Sequence, residues 1–185
     1  RKLSIGGINF HPSYLPYNKG RHSAFWGIYN STLLGATAHW MTTKFDKGDI
    51  FLQKKIKHDL FPIASKVYFA QLQALEKIIK IVIKNISQGI FLRKKQTLKK
   101  GQYHFAKDIL LVTKLNFNSK ISTNIFLKIL RGTNFPHQGF YIVKNKNEYK
   151  ICSKIKILKR KTLKGNFSKI SNIAKTKLSI REIFA

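Results

Sequence analysis

Short apolar runs separated by polar turns dominate the first sixty residues of the chain. They predict strands over Ser4–Asn9, Leu34–Met41 and Ile50–Ile56, and a short helix over His22–Tyr29. We interpret the first run, which contains two glycines, as a buried strand of a parallel sheet that ends at its asparagine. Two prolines, an asparagine and a glycine predict a loop over His11–Gly20.

The clearest element in the pattern is one long helix between Pro62 and Gly89. Proline in the first turn and glycine just past the end are typical helix boundaries. Between them, apolar residues recur at helical spacing, at Ile63, Val67, Leu72, Leu75, Ile79, Val82, Ile83 and Ile86. Strands followed by this helix predict an α/β fold.

A lysine-rich break over Leu92–Gly101 is the predicted boundary between two domains. Beyond it, the pattern predicts a helix over Ser122–Arg131 and a hairpin of Phe140–Val143 with Tyr149–Leu158, turning at Lys144–Glu148. The final residues are basic and weakly patterned, which predicts a loosely packed tail. We therefore expect an α/β domain over residues 1–91, a small α+β module over 101–158 and a basic tail over 159–185.

The chain is strongly basic, with 36 basic and 7 acidic residues and a formal net charge of +29 at pH 7. Such a charge attracts nucleic acid, acidic lipid or phosphorylated substrates. Thirty of the basic residues are lysines, so a codon bias toward lysine is the competing explanation. The single cysteine, Cys152, excludes an intramolecular disulfide, and no apolar run is long enough to predict a transmembrane span.

Three polar side chains near the ends of the predicted strands carry the candidate chemistry. Asn9 and His11 are two residues apart, so in an extended segment they face the same way, and Asp46 follows the second strand. An amide and an imidazolium can stabilise a developing oxyanion, and a carboxylate can help to move a proton. The trio suits acyl transfer, while a strand cap, a loop histidine and a turn residue are the structural alternatives.

Three blocks of this region resemble a known enzyme family. NFHPSYLPYNKG, GATAHWM and FDKGDIFLQKKI follow one another between Gly7 and Ile56. They resemble the signature of the 10-formyltetrahydrofolate-dependent formyltransferases, which is Asn-x-His-Pro-Ser-x-Leu-Pro, then Gly-x-Thr-x-His, then Asp-x-Gly-(Asp or Gln)-Ile. The resemblance implies the rear part of a Rossmann-like formyltransferase sheet followed by a small α+β C-terminal module.

The resemblance also implies roles for individual residues and no metal. Asn9, His11 and Asp46 match the catalytic trio that acts when a substrate amine attacks the formyl carbon of 10-formyltetrahydrofolate, the co-substrate. The pterin pocket is expected to be lined by Thr42, Thr43, Lys44, Phe45 and Asp46. Substrate contacts are expected from Ser13, Tyr14, Lys19 and Arg21, although the last two are equally consistent with solvated surface. His39 matches the histidine of the second block, with a structural role as the alternative.

The run HPSYLPYNKGRHSAFW is most similar to nucleotide-sugar N-formyltransferases of the dTDP-amino-sugar type. GQYHF and LKILRGTNFPHQGFYIV resemble their small C-terminal module. The resemblance implies a cytoplasmic enzyme with a nucleotide-sugar substrate and no membrane partner, and it allows a homodimer.

Two alternatives to the sugar enzyme stay open. Methionyl-tRNA formylation is one, because the net charge of +29 suits a nucleic acid ligand, and nucleic acid is expected only under this alternative. The other is an inactive basic fragment. The chain starts at Arg1 without the family's front strands, which we interpret as an N-terminal truncation.

Overall fold

The computed structural model describes residues 6–97, 101–137, 139–152 and 177–183. The chain divides into two compact units, Arg1–Asp108 and Ile109–Ala185. The elements of the first unit are, in chain order, β1 (Ile8–His11), β2 (Lys19–Gly20), α1 (Ser23–Tyr29), β3 (Gly35–Trp40), β4 (Ile50–Lys55), α2 (Ala64–Ser87) and β5 (Tyr103–His104).

A three-stranded sheet in the order β1-β3-β4 forms the centre of the first unit. The helix α2 packs on β3 and β4 and also contacts α1. Its inward residues, among them Val67, Ala74, Ile78 and Val82, belong to one buried core with Ala36, Ala38 and Trp40 of β3 and with Ile28 of α1. The predicted apolar positions mark this core face only in part, because Val67 and Val82 are buried whereas Leu72, Ile79 and Ile83 are exposed.

The predicted helices and strands of this unit are confirmed, with two corrections. The first strand continues to His11 rather than ending at Asn9. β1 and β4 both pair with β3 in the antiparallel sense, whereas the apolar run had suggested a parallel sheet. An apolar run with two glycines indicates a strand but not the sense of its pairing, and Ile8, Asn9 and Phe10 are only half-buried.

A second, two-stranded pairing joins distant parts of the same unit. β2 and β5 pair in parallel, with Lys19 opposite Tyr103 and Gly20 opposite His104. Gly20 has φ 81°, and a Cβ there would lie 2.3 Å from the carbonyl oxygen of His104. Only glycine fits this approach. The compact unit thus extends to Asp108, past the lysine-rich segment 92–101 where we expected a domain boundary.

The second unit is a small α+β assembly. Its elements are α3 (Asp108–Thr113), β6 (Lys114–Asn116), β7 (Lys120–Ser122), α4 (Thr123–Thr133), β8 (Phe140–Lys144), β9 (Asn147–Ile151), β10 (Lys177–Ser179) and α5 (Ile180–Ile183). β8 lies between β6, its parallel neighbour, and β9, its antiparallel neighbour. The rings of Phe126 on α4 and Phe140 on β8 meet edge to face at 5.7 Å. The predicted helix is confirmed, and so is the pairing of the hairpin, but its turn is at Asn145 and Lys146 rather than over Lys144–Glu148 because β9 begins at Asn147.

The basic C-terminal region differs from the expected loose tail where it is described. β10 pairs antiparallel with β7, and Ile180 at the start of α5 is fully buried. Residues 153–176, which hold the rest of the predicted second hairpin strand and most of the predicted tail, lie outside the described residues. No helix within the described ranges has both the length and the apolarity needed to cross a bilayer.

The position of α2 on the sheet predicts a stability difference between two of its isoleucines. Ile78 is 1% exposed and Ile83 is 62% exposed. Ile78→Ala should lower the free energy of unfolding by about 2–5 kcal/mol because it opens a cavity in the core. Ile83→Ala, the matched control, should change it by no more than about 0.5 kcal/mol. Urea unfolding measures both, and equal losses would contradict this packing of α2.

Candidate active site

The register between β1 and β3 brings the first two candidate residues to one face of the sheet. Asn9 lies opposite His39, and His11 lies opposite Thr37. Asn9 Nδ2 is 3.1 Å from His39 Nε2, and His39 Nδ1 is 3.0 Å from the carbonyl oxygen of Trp40. Because a carbonyl only accepts hydrogen bonds, His39 donates from Nδ1, and the Asn9 amide nitrogen lies at hydrogen-bond distance from its Nε2.

Asp46 joins this face from the turn after β3. Its side chain is buried, and its backbone lies in the left-handed region with φ 52°. Oδ2 accepts a 2.8 Å hydrogen bond from the backbone N–H of Gly20 and lies 3.8 Å from His11 Nε2. Oδ1 lies 3.4 Å from Asn9 Nδ2 and 3.6 Å from His39 Nε2. The structure therefore brings together Asn9, His11 and Asp46, with His39 as a fourth member.

Opposing effects act on the ionisation of the buried pair. Burial lowers the pKa of His11 below its ordinary value of 6.5, and this outweighs the raising effects of Asp46 and of the Asn18 carbonyl, to which His11 Nε2 is 3.4 Å distant. Burial acts to raise the pKa of Asp46, but His39, His11 and the Gly20 N–H outweigh it and hold that pKa below 3.8. Asp46 is therefore a carboxylate at neutral pH.

The loop before β2 is fastened to the sheet by Thr37. Its hydroxyl donates to the carbonyl oxygen of Ser13 at 2.7 Å and accepts from the N–H of Leu15 at 3.1 Å. Gln53 Nε2 on β4 donates to the carbonyl oxygen of Leu15 at 2.6 Å and to the Thr37 hydroxyl at 3.1 Å. These bonds hold the HPSYLP segment against the face that carries His11.

The predicted substrate contacts are in contrasting environments. Ser13 is 1% exposed, and its hydroxyl oxygen has no hydrogen-bond partner among the described residues. Lys19 is 2% exposed, which rules out the solvated-surface alternative for it. Burial, with Lys47 nearby, lowers the pKa of Lys19 against the opposing effect of Asp46. Tyr14 is half-buried, and Arg21 is exposed.

The predicted pterin loop is open to solvent up to the carboxylate. Thr42, Thr43, Lys44 and Phe45 are all exposed, and the Phe45 side chain is 79% exposed. The hydroxyl of Thr42 donates to the carbonyl oxygen of Lys44 at 2.9 Å, which shapes the turn. No group of three His, Cys, Asp or Glu side chains suited to hold a metal ion is present within the described ranges.

The sequence analysis left the role of His39 undecided and did not identify the backbone N–H of Gly20 as part of the site. His39 had a signal, because in GATAHW small residues alternate with Thr37 and His39, which predicts one core face and one polar face. The Gly20 N–H had no signal in the sequence, since its position depends on the pairing of β2 with β5.

Comparison with known proteins identifies the domain that carries this site. Residues 1–79 match the family model described as formyl transferase. These residues are similar to a formyl transferase domain. The resemblance stated from the three sequence blocks is thereby confirmed, because His11, His39 and Asp46 all lie inside the matched range.

The matching proteins include sugar N-formyltransferases. The chain is 33% identical over 85 residues to GDP-perosamine N-formyltransferase of Brucella melitensis, covering 45% of this chain and 33% of the relative. It is 32% identical to WlaRD, a sugar 3N-formyl transferase solved in the presence of dTDP and 5-N-formyl-THF, with a TM-score of 0.62 over 76% of this chain and 51% of that one.

A further solved structure supports the fold. The 4-N formyltransferase from Francisella tularensis has a TM-score of 0.72 at 24% identity, covering 82% of this chain and 63% of that one. The Rossmann-like α/β fold expected from the sequence is confirmed by these neighbours. The chain spans about a third of the length of its Brucella relative.

The buried histidine of the candidate site predicts how stability changes with pH. The pKa of His11 in the folded state lies below 6.5, so the unfolded chain binds more protons as the pH falls through 6.5, and stability decreases there. Burial lowers the pKa values of His22 and His104 as well, which adds in the same direction.

Urea unfolding between about pH 7.5 and about pH 5.5 measures this dependence. The free energy of unfolding should decrease toward acid, and the decrease should be shallower for His11→Asn. Because the slope is compared, a uniform destabilisation by the substitution does not affect the result. Parallel curves for the two proteins would contradict the burial of a neutral imidazole at this position.

Proposed function

We propose that this chain transfers the formyl group of 10-formyltetrahydrofolate to the amine of a nucleotide-linked amino sugar. One observation carries the proposal: an amide, an imidazole and a carboxylate converge at 3.4–3.8 Å within residues that are similar to a formyl transferase domain. The named substrates of the relatives support the sugar class, and the presence of 5-N-formyl-THF with WlaRD supports a folate co-substrate.

In the proposed reaction, the substrate amine attacks the formyl carbon and forms a C–N bond. The carbonyl oxygen becomes an oxyanion in a tetrahedral intermediate. The bond from carbon to N10 of the folate then breaks, and the proton lost by the amine is passed to N10. Stabilising the oxyanion and moving this proton are the two tasks for the protein.

Asn9 and His11 are suited to hold the oxyanion. Asn9 Nδ2 has two N–H groups, of which one donates to His39. The other is 3.4 Å from Asp46 Oδ1, a long contact that an oxyanion can replace. Burial makes protonated His11 a stronger acid and a stronger hydrogen-bond donor, because its positive charge is poorly solvated.

Asp46 is suited to orient His11 and to relay the proton. Its carboxylate faces His11 Nε2 at 3.8 Å, so it favours the imidazolium that donates to the oxyanion. At this separation the two groups are too far apart for a direct hydrogen bond, so we propose that the proton moves through a water molecule or the substrate amine beside the pair. The exposed turn before Asp46 leaves backbone groups accessible to a pterin ring.

Substitution of the imidazole or the carboxylate should abolish most of the proposed activity. His11→Asn and Asp46→Asn should each lower kcat for formyl transfer by about 10²–10⁴-fold, because each removes an acid–base or orienting group. Asp49→Asn, three residues away and outside the hydrogen-bonded group, is the matched control and should keep near-normal turnover. Product formation followed by mass spectrometry measures all three. Near-normal turnover of either site variant would remove that residue from the mechanism.

Ligand-induced stabilisation distinguishes the sugar enzyme from the tRNA enzyme, which the net charge of +29 favours. A GDP- or dTDP-linked 4-amino sugar at about 100 times its Kd should stabilise the protein by about 2.7 kcal/mol. The matching amino sugar without a nucleotide is the control and should not raise Tm.

If tRNA binds instead, its affinity should fall steeply with salt, because the binding releases counterions. Stabilisation by tRNA and not by the nucleotide sugar would replace our proposal with the tRNA alternative. Stabilisation by neither ligand would favour the inactive fragment.

A further inference from the structure

The lysine-rich segment after α2 is fastened across the ends of β3 and β4. We call residues 92–96 the strap. Ile50 and Lys94 exchange two backbone hydrogen bonds of 2.7 and 2.9 Å. The indole N–H of Trp40 donates to the carbonyl oxygen of Leu92 at 2.8 Å, and the Arg93 guanidinium lies 3.9 Å from the centre of the Trp40 ring.

The last residue of the strap reaches the turn that carries the catalytic carboxylate. Gln96 Nε2 is 3.0 Å from the carbonyl oxygen of Asp46 and 2.7 Å from that of Gly48. Both neighbours are acceptors, so the amide nitrogen, and not the oxygen, must occupy this position. Gln96 Oε1 is buried and has no partner among the described residues. The described hydrogen bonds of the Gln96 side chain therefore both go to the turn.

The turn itself requires such support. Asp46 has φ 52°, which costs a non-glycine residue about 1 kcal/mol and persists only when the surroundings enforce it. On the opposite side, Gly48 touches β3 so closely that a Cβ would lie 1.7 Å from the carbonyl oxygen of Trp40. The turn is thus enclosed between the end of β3 and the Gln96 amide.

We propose that Gln96 is a positioning residue for Asp46: by bridging the carbonyl groups of Asp46 and Gly48, it holds the carboxylate toward His11, His39 and Gly20. The expected effect of Gln96 on turnover rests on the proposed function. The expected effect of Gln96 on the geometry of the site is independent of that function, because it can be measured without substrate.

Titration of His11 reports on the position of the carboxylate. The influences on the His11 pKa are the burial of the ring, Asp46, the Asn18 carbonyl and His39. Asp46 raises the pKa of His11, whereas burial lowers it. If the carboxylate moves away, its raising effect weakens and the lowering effect of burial dominates further. The His11 pKa should then fall further below its value in the wild-type chain.

Two substitutions remove the hydrogen bonds that Gln96 donates to the carbonyl groups of Asp46 and Gly48. Gln96→Met keeps the length of the side chain and removes both donors, and Gln96→Leu removes them with a second uncharged side chain of similar volume. Lys95→Met, on the adjacent exposed residue, is the control for the strap. Val82→Ala, in the core of α2, is the control for a general loss of stability. NMR titration of the His11 ring and steady-state kinetics are measured for all four variants.

We expect both Gln96 variants to lower the His11 pKa and to reduce kcat about 10-fold or more, with little change in KM for the nucleotide sugar, because a small misplacement of a reacting group lowers the rate more than binding. Lys95→Met and Val82→Ala should match the wild-type chain in both measurements. If Gln96→Met does not fold, Gln96→Leu decides by the same titration.

An unchanged His11 titration in a folded Gln96 variant overturns the proposal. An equal shift in Val82→Ala also overturns it, since the effect would then follow stability alone. A wild-type chain that transfers no formyl group contradicts the proposed function, while the His11 titration still decides whether Gln96 positions Asp46.

Discussion

A buried carboxylate in a strongly basic chain is the constraint on which the site depends. A buried charge costs several kcal/mol unless it is paired and hydrogen-bonded. Asp46 accepts a hydrogen bond from the Gly20 N–H and faces the side chains of Asn9, His11 and His39, and these groups come from β1, β2 and β3. If any of these segments moved away, the buried carboxylate of Asp46 would have fewer groups to stabilise its charge. The local fold and the candidate chemistry therefore have the same physical requirement.

The strand β3 links the hydrophobic core to this carboxylate. Ala36 and Ala38 face the core under α2, and Thr37 and His39 face the site, all of them almost completely buried. Since successive side chains of a strand alternate between faces, a shift of one residue would exchange the two sets. Packing of α2 onto the small alanines thus fixes the register that places His39 beside Asn9.

Local sequence patterns predicted the elements well because they depend on local physics. The spacing of apolar residues between Pro62 and Gly89 indicated α2, and the alternation of runs and turns indicated β3 and β4. Pairing is different, since periodicity shows that a strand exists and not which strand lies beside it. The antiparallel sense of β1 and the pairing of β2 with the distant β5 could not be obtained in this way.

Amino-acid composition gave a wrong expectation for a segment whose backbone, rather than its side chains, forms the contacts. The lysines of residues 92–101 suggest a solvated linker, yet the main chain of residues 92–94 bonds to β3 and β4, and the lysine side chains of 94 and 95 are exposed. Lys19 is the converse case: a lysine in a proline-rich loop is expected at the surface, but the pairing of β2 with β5 encloses it.

The opposition between burial and Asp46 explains why residue types alone could not specify the chemistry. Burial lowers the pKa of His11 and Asp46 raises it, so the balance depends on the distance between the two side chains. An imidazole and a carboxylate 3.8 Å apart interact strongly at low dielectric, and the interaction weakens as they separate. The sequence predicts which groups meet. The held turn at Asp46 decides how strongly they interact, and therefore whether the imidazole can act as a donor to an oxyanion.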